Sequence, residues 1–296
     1  MAEIKRVGVV GAGLMGHGIA QVAAEAGYDV VLRDVEQRFV DAGLAGIQKQ
    51  LSKTVEKGKA TQEDADAVLS RITATTELEA LADRDIVVEA IPEVLDLKRA
   101  LWTELDGIVK EDGIFATNTS ALSVIDQAAV TQRPDRFVGL HFFSPVQRMA
   151  LVEVVRAITT SDETMAAAQA WVSGIRKQPI PTRDTAGFVV NRLLVPYMAD
   201  AIRALEEGVG TADQIDAAMK AGAGHPVGPL MLNDLVGLDT LLKTCENMYS
   251  ELRNERFAPP PTLRKLVAAG WFGRKTGKGF YDWSGGEPVP NAAVAR

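Results

Sequence analysis

The sequence predicts an α/β protein with a Rossmann-type, doubly wound and mostly parallel sheet, followed by an all-α C-terminal domain. Short β-branched runs alternate with helical segments over the first 183 residues. A glycine-rich turn joins the first run to the first helix. Beyond that region the alternation stops, and the segments are helical in composition with Gly and Pro between them.

The elements of the first domain follow one another in a regular order. The runs that predict strands are 4–10, 28–34, 72–75, 85–91, 113–119 and 135–143. The segments that predict helices are 15–27, 35–60, 61–72, a short acidic stretch before 85, 93–109 and 121–129. The helix over 35–60 is longer than a crossover connection needs, and Thr61 is the expected N-cap of the next helix.

The chain length favours two domains, because a domain has roughly 150 residues. We place a Rossmann-type domain at 1–183, with an inserted helix at 35–60, and an all-helical domain at 184–283. The helical domain contains three helical segments, which are 184–208, 211–222 and 228–253. Residues 284–296 lack periodicity and are expected to form a flexible tail.

Composition excludes several classes of partner. A net charge of −7 argues against nucleic acid or an anionic membrane as the main partner. No apolar run approaches the roughly 18 residues of a membrane span. The single cysteine, Cys245, rules out an intramolecular disulfide and is typical of a reducing compartment, so we expect a cytoplasmic protein.

The glycine-rich turn "GAGLMG" has the G-x-G-x-x-G spacing at Gly11, Gly13 and Gly16. The first glycine permits a tight turn, the second lets the backbone approach a pyrophosphate, and the third lets the helix pack on the strand. Leu14 and Met15 lie where the helix begins, and a helix N-terminus presents unpaired N–H groups to phosphates. The strand before and the helix after this turn make it a strong prediction of a dinucleotide site.

An acidic residue ends the second predicted strand. Asp34, 18 residues after Gly16, is placed to accept hydrogen bonds from the adenosine ribose hydroxyls and to repel a 2′-phosphate. The cofactor is therefore predicted to be NAD. The neighbouring Arg33 leaves NADP open as an alternative.

Polar residues interrupt three apolar stretches. Asn118, Thr119 and Ser120 follow a predicted strand, either near a ligand at the carboxyl edge of the sheet or as a helix cap. If the chain reverses around Gln147, His141 and Glu153 are equidistant from the turn and face each other.

The third interruption is Asn191, within the apolar "GFVVNRLL". Asn is unfavourable inside a helix, so it either bonds a backbone carbonyl or faces a ligand cleft.

These residues suggest the oxidation of an alcohol. Hydride transfer to a nicotinamide requires a base for the hydroxyl proton, and histidine exchanges protons near neutral pH. Glu153 would hold the second ring nitrogen of His141. Ser120 and Asn191 carry groups suited to hold the substrate oxygen. No metal is expected.

An ordered set of motifs resembles the L-3-hydroxyacyl-CoA dehydrogenase family, particularly its bacterial 3-hydroxybutyryl-CoA dehydrogenase branch, over about residues 4–283. The motifs are "GAGLMGHGIAQVAA", "VVEAIPEVLDLK", "NTSALSV", "GLHFFSPV", "LVEVV", "GFVVNRLL", "GHPVGPL", "GLDT" and "GKGFYDW". The resemblance implies NAD-dependent interconversion of (S)-3-hydroxyacyl-CoA and 3-ketoacyl-CoA. It also implies that 1–183 binds NAD and that 184–283 is the substrate domain, through which a homodimer forms.

The resemblance assigns roles to individual residues. His141 and Glu153 match the catalytic pair, and Ser120 and Asn191 match residues near the 3-oxygen of the substrate. Lys57, on the long inserted helix, matches a lysine that contacts CoA. The residues expected on the cofactor side are Gly11, Gly13, Leu14, Met15, Gly16, Asp34, Glu93, Lys98, Asn118, Ser120 and Lys275.

Ser144 is a departure from the family pattern, and three alternatives remain. Ser144 stands where the family usually has Asn, which would loosen hydrogen bonding on the nicotinamide side. The 6-phosphogluconate and β-hydroxyacid dehydrogenases share this domain order, but they use a lysine where this chain has Asn191 and Arg192. A non-catalytic dinucleotide-binding protein would not need four polar residues to occur together, namely Ser120, His141, Glu153 and Asn191. Within the family, a β-oxidation enzyme of broader chain length is the main alternative.

Overall fold

The computed structural model describes residues 4–294. The chain divides into two compact units, the first ending at Phe188 and the second beginning at Val189. The sequence predicts the division at 183/184, five residues earlier. The additional residues follow the last strand of the sheet, and Phe188 packs in a core cluster of the first unit.

In the first unit the strands are β1 (Arg6–Val10), β2 (Asp29–Arg33), β3 (Ile72–Thr75), β4 (Ile86–Glu89), β5 (Ile114–Thr117), β6 (Phe137–Phe142), β7 (Leu151–Arg156) and β8 (Gln178–Arg183). The α-helices are α1 (Leu14–Glu25), α2 (Gln37–Glu56), α3 (Gln62–Ser70), α4 (Leu95–Ile108), α5 (Ile125–Ala128) and α6 (Asp162–Gly174). Within the described residues these strands form one sheet in the order β3-β2-β1-β4-β5-β6-β7-β8. The predicted Rossmann-type architecture is confirmed.

The central strands are apolar because both faces of the sheet are covered. One core cluster joins residues such as Val9 and Val88 to Ile19 of α1 and Trp171 of α6. The other joins Val87 and its neighbours to α4. Alternate residues of each strand point to opposite faces, so one strand contributes to both clusters.

Strands β1 to β6 are parallel, and β7 runs antiparallel to β6. The chain reverses between them, and the register pairs His141 directly with Glu153. This predicted opposition is confirmed. Helix α6 and strand β8 are not predicted from the sequence. The sequence of β8, "QPIPTR", contains two prolines and is partly exposed, as expected of an edge strand.

In the second unit the helices are α7 (Val190–Glu206), α8 (Ala212–Ala223), α9 (Pro229–Val236), α10 (Leu238–Leu252) and α11 (Pro261–Ala268). The segment predicted as one helix over 228–253 is two helices, because Gly237 adopts a φ of 102° between them. Within the described residues no helix is long and apolar enough to cross a membrane.

Two buried carboxylates organise the second unit. Asp216 accepts hydrogen bonds from the Leu230 N–H at 2.7 Å and from the Tyr281 hydroxyl at 2.7 Å. Asp234 accepts them from the Tyr281 N–H and the Trp283 indole, both at 2.9 Å. The "GHPVGPL" and "GKGFYDW" motifs therefore supply donors that buried carboxylates need.

The expected flexible tail differs from the structure where the structure describes it. Strands β9 (Tyr281–Asp282) and β10 (Val289–Pro290) pair antiparallel. The buried Asn291 side chain donates to the Gly279 carbonyl at 2.8 Å. These long-range bonds anchor a stretch whose sequence has no periodicity. Ala295 and Arg296 lie outside the described residues.

Candidate active site

The glycine turn lies between β1 and α1, and each glycine meets a different requirement. Gly11 has a φ of 99°, and a Cβ there would approach the Ala90 carbonyl oxygen to 2.6 Å. A Cβ on Gly16 would collide with the Gly11 carbonyl. At Gly13, by contrast, no described atom beyond Gly13 and its two chain neighbours lies within 4 Å of the Cβ position. The turn therefore leaves open space at the residue that should meet a pyrophosphate.

Asp34, just after β2, is fixed by two backbone donors. One carboxylate oxygen accepts from the Ala12 N–H and the other from the Val35 N–H, both at 2.7 Å. The bond to Ala12 ties the acidic residue to the glycine turn. The side chain of Arg33 donates from Nε to the Thr76 carbonyl at 2.9 Å.

A cleft of about 800 Å³ opens beside the glycine turn and Asp34. Its walls include the exposed apolar side chains of Leu14, Val35, Phe39 and Leu97. Apolar walls with a few fixed polar groups are typical of a site for a flat organic ligand. The open position at Gly13, the N-terminus of α1 and this cleft together fit a dinucleotide.

A second polar group lies where β4 and β5 end. The buried Lys98 ammonium is 2.8 Å from Glu89 and 2.9 Å from Glu93. The Lys98 side chain is only 1% exposed, so its ammonium is paired with two carboxylates and does not face the open cleft. The resemblance implies a direct contact of Lys98 with NAD, and in this structure that contact would require the enclosing network to change.

Glu93 and Asn118 fix the turn after β5. A Glu93 oxygen accepts from the Thr119 hydroxyl at 2.5 Å and from the Ser120 N–H at 2.9 Å. Asn118 accepts from the Phe142 N–H at 2.9 Å, at the end of β6. The turn is therefore held both to the segment before α4 and to the strand that carries the histidine.

His141 and Glu153 meet inside the sheet. Nδ1 of His141 is 2.7 Å from a carboxylate oxygen of Glu153. Glu153 is fully buried and His141 is 6% exposed, with its ring 4.4 Å from that of Phe143 and 5.6 Å from that of Phe188 between centroids. When Glu153 is ionised it accepts a hydrogen bond from the Nδ1–H of His141, which leaves Nε2 as the ring nitrogen for proton exchange.

Three of the predicted site residues lie on elements other than those that carry these polar groups. Lys57 is the exposed C-cap residue of α2. Asn191 is the second residue of α7, in the second unit. Lys275, also in the second unit, forms an ion pair with Asp239 at 2.5 Å. Within the described residues no group of His, Cys, Asp or Glu has the arrangement of a metal site.

Sequence reasoning missed two residues that organise the site. Glu89 is the single charged residue of β4, and its position in "DIVVEAI" was the available signal. Asp184 accepts from the N–H groups of Val124 and Ile125 at 3.0 and 2.8 Å and thus holds the start of α5. No local pattern indicates that second contact, because about 60 residues separate the partners.

The glycine turn, the carboxylate after β2 and the adjoining cleft define a class. They are the parts of a dinucleotide-binding Rossmann domain, and the buried His–Glu pair has the chemistry that a proton transfer requires. The first unit therefore has the features of a dinucleotide-dependent dehydrogenase.

Comparison with known proteins gives the family. Residues 6–185 match the profile described as "3-hydroxyacyl-CoA dehydrogenase, NAD binding domain". Residues 187–283 match "3-hydroxyacyl-CoA dehydrogenase, C-terminal domain". The chain belongs to the 3-hydroxyacyl-CoA dehydrogenase family. This decides against the 6-phosphogluconate and β-hydroxyacid dehydrogenase alternative.

Similarity to individual relatives extends over nearly the whole chain. The 3-hydroxybutyryl-CoA dehydrogenase of Bradyrhizobium diazoefficiens is 47% identical, with 98% of this chain and 99% of the relative covered. The mitochondrial hydroxyacyl-coenzyme A dehydrogenase of Homo sapiens is 44% identical, with 95% and 91% covered. The solved (S)-3-hydroxybutyryl-CoA dehydrogenase of Ralstonia eutropha is 45% identical with a TM-score of 0.93, covering 95% of this chain and 100% of that one.

Proposed function

We propose that the protein interconverts (S)-3-hydroxybutyryl-CoA and acetoacetyl-CoA with NAD as the redox partner. The observation that carries this proposal is the buried His141–Glu153 contact of 2.7 Å in a chain of this family. Relatives at 42–47% identity named 3-hydroxybutyryl-CoA dehydrogenase support the four-carbon substrate.

The chemistry divides between the cofactor and the chain. Bound NAD supplies the hydride acceptor in one direction and, as NADH, the donor in the other. His141 takes the hydroxyl proton on Nε2 during oxidation and returns it during reduction. Glu153 holds the Nδ1–H, fixes the ring orientation and favours the imidazolium that forms. Ser120 holds the oxygen on carbon 3.

The acidic residue after β2 favours NAD over NADP. The Asp34 carboxylate would bond ribose hydroxyls and repel a 2′-phosphate. Arg33, which could have offset this repulsion, already donates to the Thr76 carbonyl. On the cofactor side we also place Glu93 and Asn118.

The inserted helix α2 is proposed to bind the CoA portion. Lys49, Lys53 and Lys57 are exposed and four residues apart, which places them along one face. Ammonium groups meet phosphates as point charges. Lys57→Ala should therefore raise the KM for the acyl-CoA at low salt and leave NADH affinity unchanged.

The assembly is proposed to be a cytoplasmic homodimer formed through the helical unit. Exposed apolar side chains of that unit, including Leu193, Leu235 and Val236, are available for burial in such an interface. Sedimentation equilibrium should give twice the chain mass of 31.8 kDa.

A second candidate is a 3-hydroxyacyl-CoA dehydrogenase of broader chain length. The observation that favours it is the 44% identity to the mitochondrial hydroxyacyl-coenzyme A dehydrogenase of Homo sapiens. Steady-state rates with acetoacetyl-CoA and longer 3-ketoacyl-CoAs, each with NADH and NADPH, separate the two. A higher kcat/KM for acetoacetyl-CoA with NADH is expected. Higher values for long chains would favour the second candidate, and no turnover with any of them would refute both.

A further inference from the structure

Glu89 is a buried carboxylate at the end of the apolar strand β4. It is completely enclosed, and its sequence neighbours in the strand are Ile86, Val87 and Val88. One oxygen accepts from the Ile91 N–H at 2.8 Å. An isolated carboxylate at such a place is strongly unfavourable, so its partners determine what it does.

The main partner is Lys98, whose ammonium lies 2.8 and 3.0 Å from the two Glu89 oxygens. The hydroxyl of Thr117 donates to the second oxygen at 2.7 Å. Burial raises the pKa of Glu89, and the charge and hydrogen bonds of Lys98 oppose that rise. The ionised form of Glu89 thus depends on Lys98.

Lys98 also forms an ion pair with Glu93, which lies 2.9 Å from the same ammonium. Burial tends to raise the pKa of Glu93, but the Lys98 charge and the bond from Thr119 outweigh it, and the pKa is lowered. Glu93 is therefore held as a carboxylate with one oxygen on Lys98.

The other oxygen of Glu93 accepts hydrogen bonds from three donors in a single turn. They are the Thr119 hydroxyl at 2.5 Å, the Ser120 N–H at 2.9 Å and the Ala121 N–H at 3.2 Å. The turn that carries Ser120 thus contacts Glu93, Glu93 contacts Lys98, and Lys98 contacts Glu89 in the interior of the sheet.

We propose that Glu89 is a positioning residue for the turn at 119–121, acting through Lys98 and Glu93 to fix Ser120. A buried ion pair is seldom the most stable way to fill a core, because apolar residues of similar volume are often as good or better. Fixed geometry at Ser120 supplies a reason for this one. The inference rests on the proposed function for its activity readout.

The test is a double-mutant cycle between Glu89→Gln and Ser120→Ala. Gln is nearly isosteric with Glu but lacks the charge that holds Lys98. We expect E89Q to lower kcat/KM for acetoacetyl-CoA about 10²-fold, the scale associated with a misplaced site group. Because Ser120 is already misplaced in E89Q, S120A should add little in that background, although it lowers kcat/KM in the wild type.

The control is Asp106→Asn, at the other end of α4. Asp106 forms an ion pair with Arg133 at 2.7 Å, and both side chains are about nine-tenths buried. D106N should lower the unfolding midpoint while kcat/KM stays near that of the wild type. Additive effects of E89Q and S120A on kcat/KM, as expected for a merely structural Glu89, would overturn the proposal.

A further variant covers the case in which E89Q does not fold, since Lys98 would keep only one carboxylate. Glu89→Gln combined with Lys98→Met removes both charges of the pair. This variant should fold, because no cation is left in the core and Glu93 still accepts hydrogen bonds from the 119–121 turn. It should still have a low kcat/KM. A kcat/KM equal to that of the wild type would contradict the positioning role.

NADH fluorescence titration supplies a readout that does not need turnover. We expect weaker NADH binding in E89Q than in D106N, because Glu93 and the 119–121 turn lie on the proposed cofactor side. If the wild type does not turn over acetoacetyl-CoA, the proposed function fails while this comparison still decides on Glu89. Equal NADH affinity in both variants would then refute the inference.

Discussion

If His141 and Glu153 act as the proposed pair, Glu153 influences His141 by charge as well as by contact, and the two effects can be separated. The carboxylate is fully buried, and one oxygen accepts from the imidazole at 2.7 Å. A glutamine in its place has nearly the same shape and can still bond to Nδ1, but it cannot stabilise an imidazolium. A change in rate after this substitution therefore reports charge and ring orientation rather than packing.

Glu153→Gln is expected to retain the fold and NADH binding and to lower kcat about 10²–10⁴-fold, the range of a positioned acid–base group. His141→Ala should lower it at least as much. The double variant should be little worse than either, because residues that act as a unit are strongly non-additive. Steady-state kinetics of the three variants, with NADH affinity as control, measure this. Losses that multiply in the double variant would show that the residues work independently.

At the scale of the element, the turn before α1 contains two glycines with opposite structural demands. Gly16 has no room for a Cβ, because the Gly11 carbonyl occupies that position. Gly13 has room for one among the described residues, in the space where a pyrophosphate should approach. An alanine at each position therefore separates packing from cofactor binding.

Gly13→Ala should keep the thermal unfolding midpoint close to that of the wild type and weaken NADH binding. Gly16→Ala should lower the midpoint, because the helix must move away from β1 to relieve the collision. Thermal unfolding with and without NADH measures both effects. If G13A binds NADH as tightly as the wild type, the cofactor does not approach the backbone at Gly13.

At the scale of the whole molecule, Asp85 connects the start of β1 to the start of β4. Its carboxylate accepts from the Lys5 and Arg6 N–H groups at 2.7 and 2.8 Å and from the Lys110 ammonium at 2.6 Å. Burial tends to raise the pKa of Asp85, but Lys110 and the two backbone donors outweigh it and lower the pKa. The folded protein therefore binds this proton less readily than the unfolded chain does.

A lowered pKa means that Asp85 stabilises the fold above its ordinary value of about 4 and loses that contribution as the pH falls below it. Asp85→Asn should reduce the free energy of unfolding by about 1–2 kcal/mol near pH 7, since it weakens hydrogen bonds to a charged group. The difference from the wild type should shrink below about pH 4. Urea unfolding at several pH values measures it, with the exposed Asp66→Asn as control. A difference that is constant with pH would exclude titration of Asp85 as the cause.

The sequence by itself determined the Rossmann-type class, the order of strands and helices up to β6, the glycine turn and the opposition of His141 and Glu153. These features depend on local rules: a period of two in strands, the freedom of glycine, and equal distances from a chain reversal. The strand β8 escaped prediction because its prolines and exposure give no periodic signal.

Only the tertiary structure decided that Glu89, Lys98 and Glu93 form one network and that Asp184 holds the start of α5. It also decided that residues 289–291 bond back to 279–282 rather than remain loose. The physical reason is that a buried polar group must find a partner, but its chemistry does not specify which of many distant donors will be adjacent. For the network of Glu89, Lys98 and Glu93, the packing of β4, β5 and α4 against one another selects the partners.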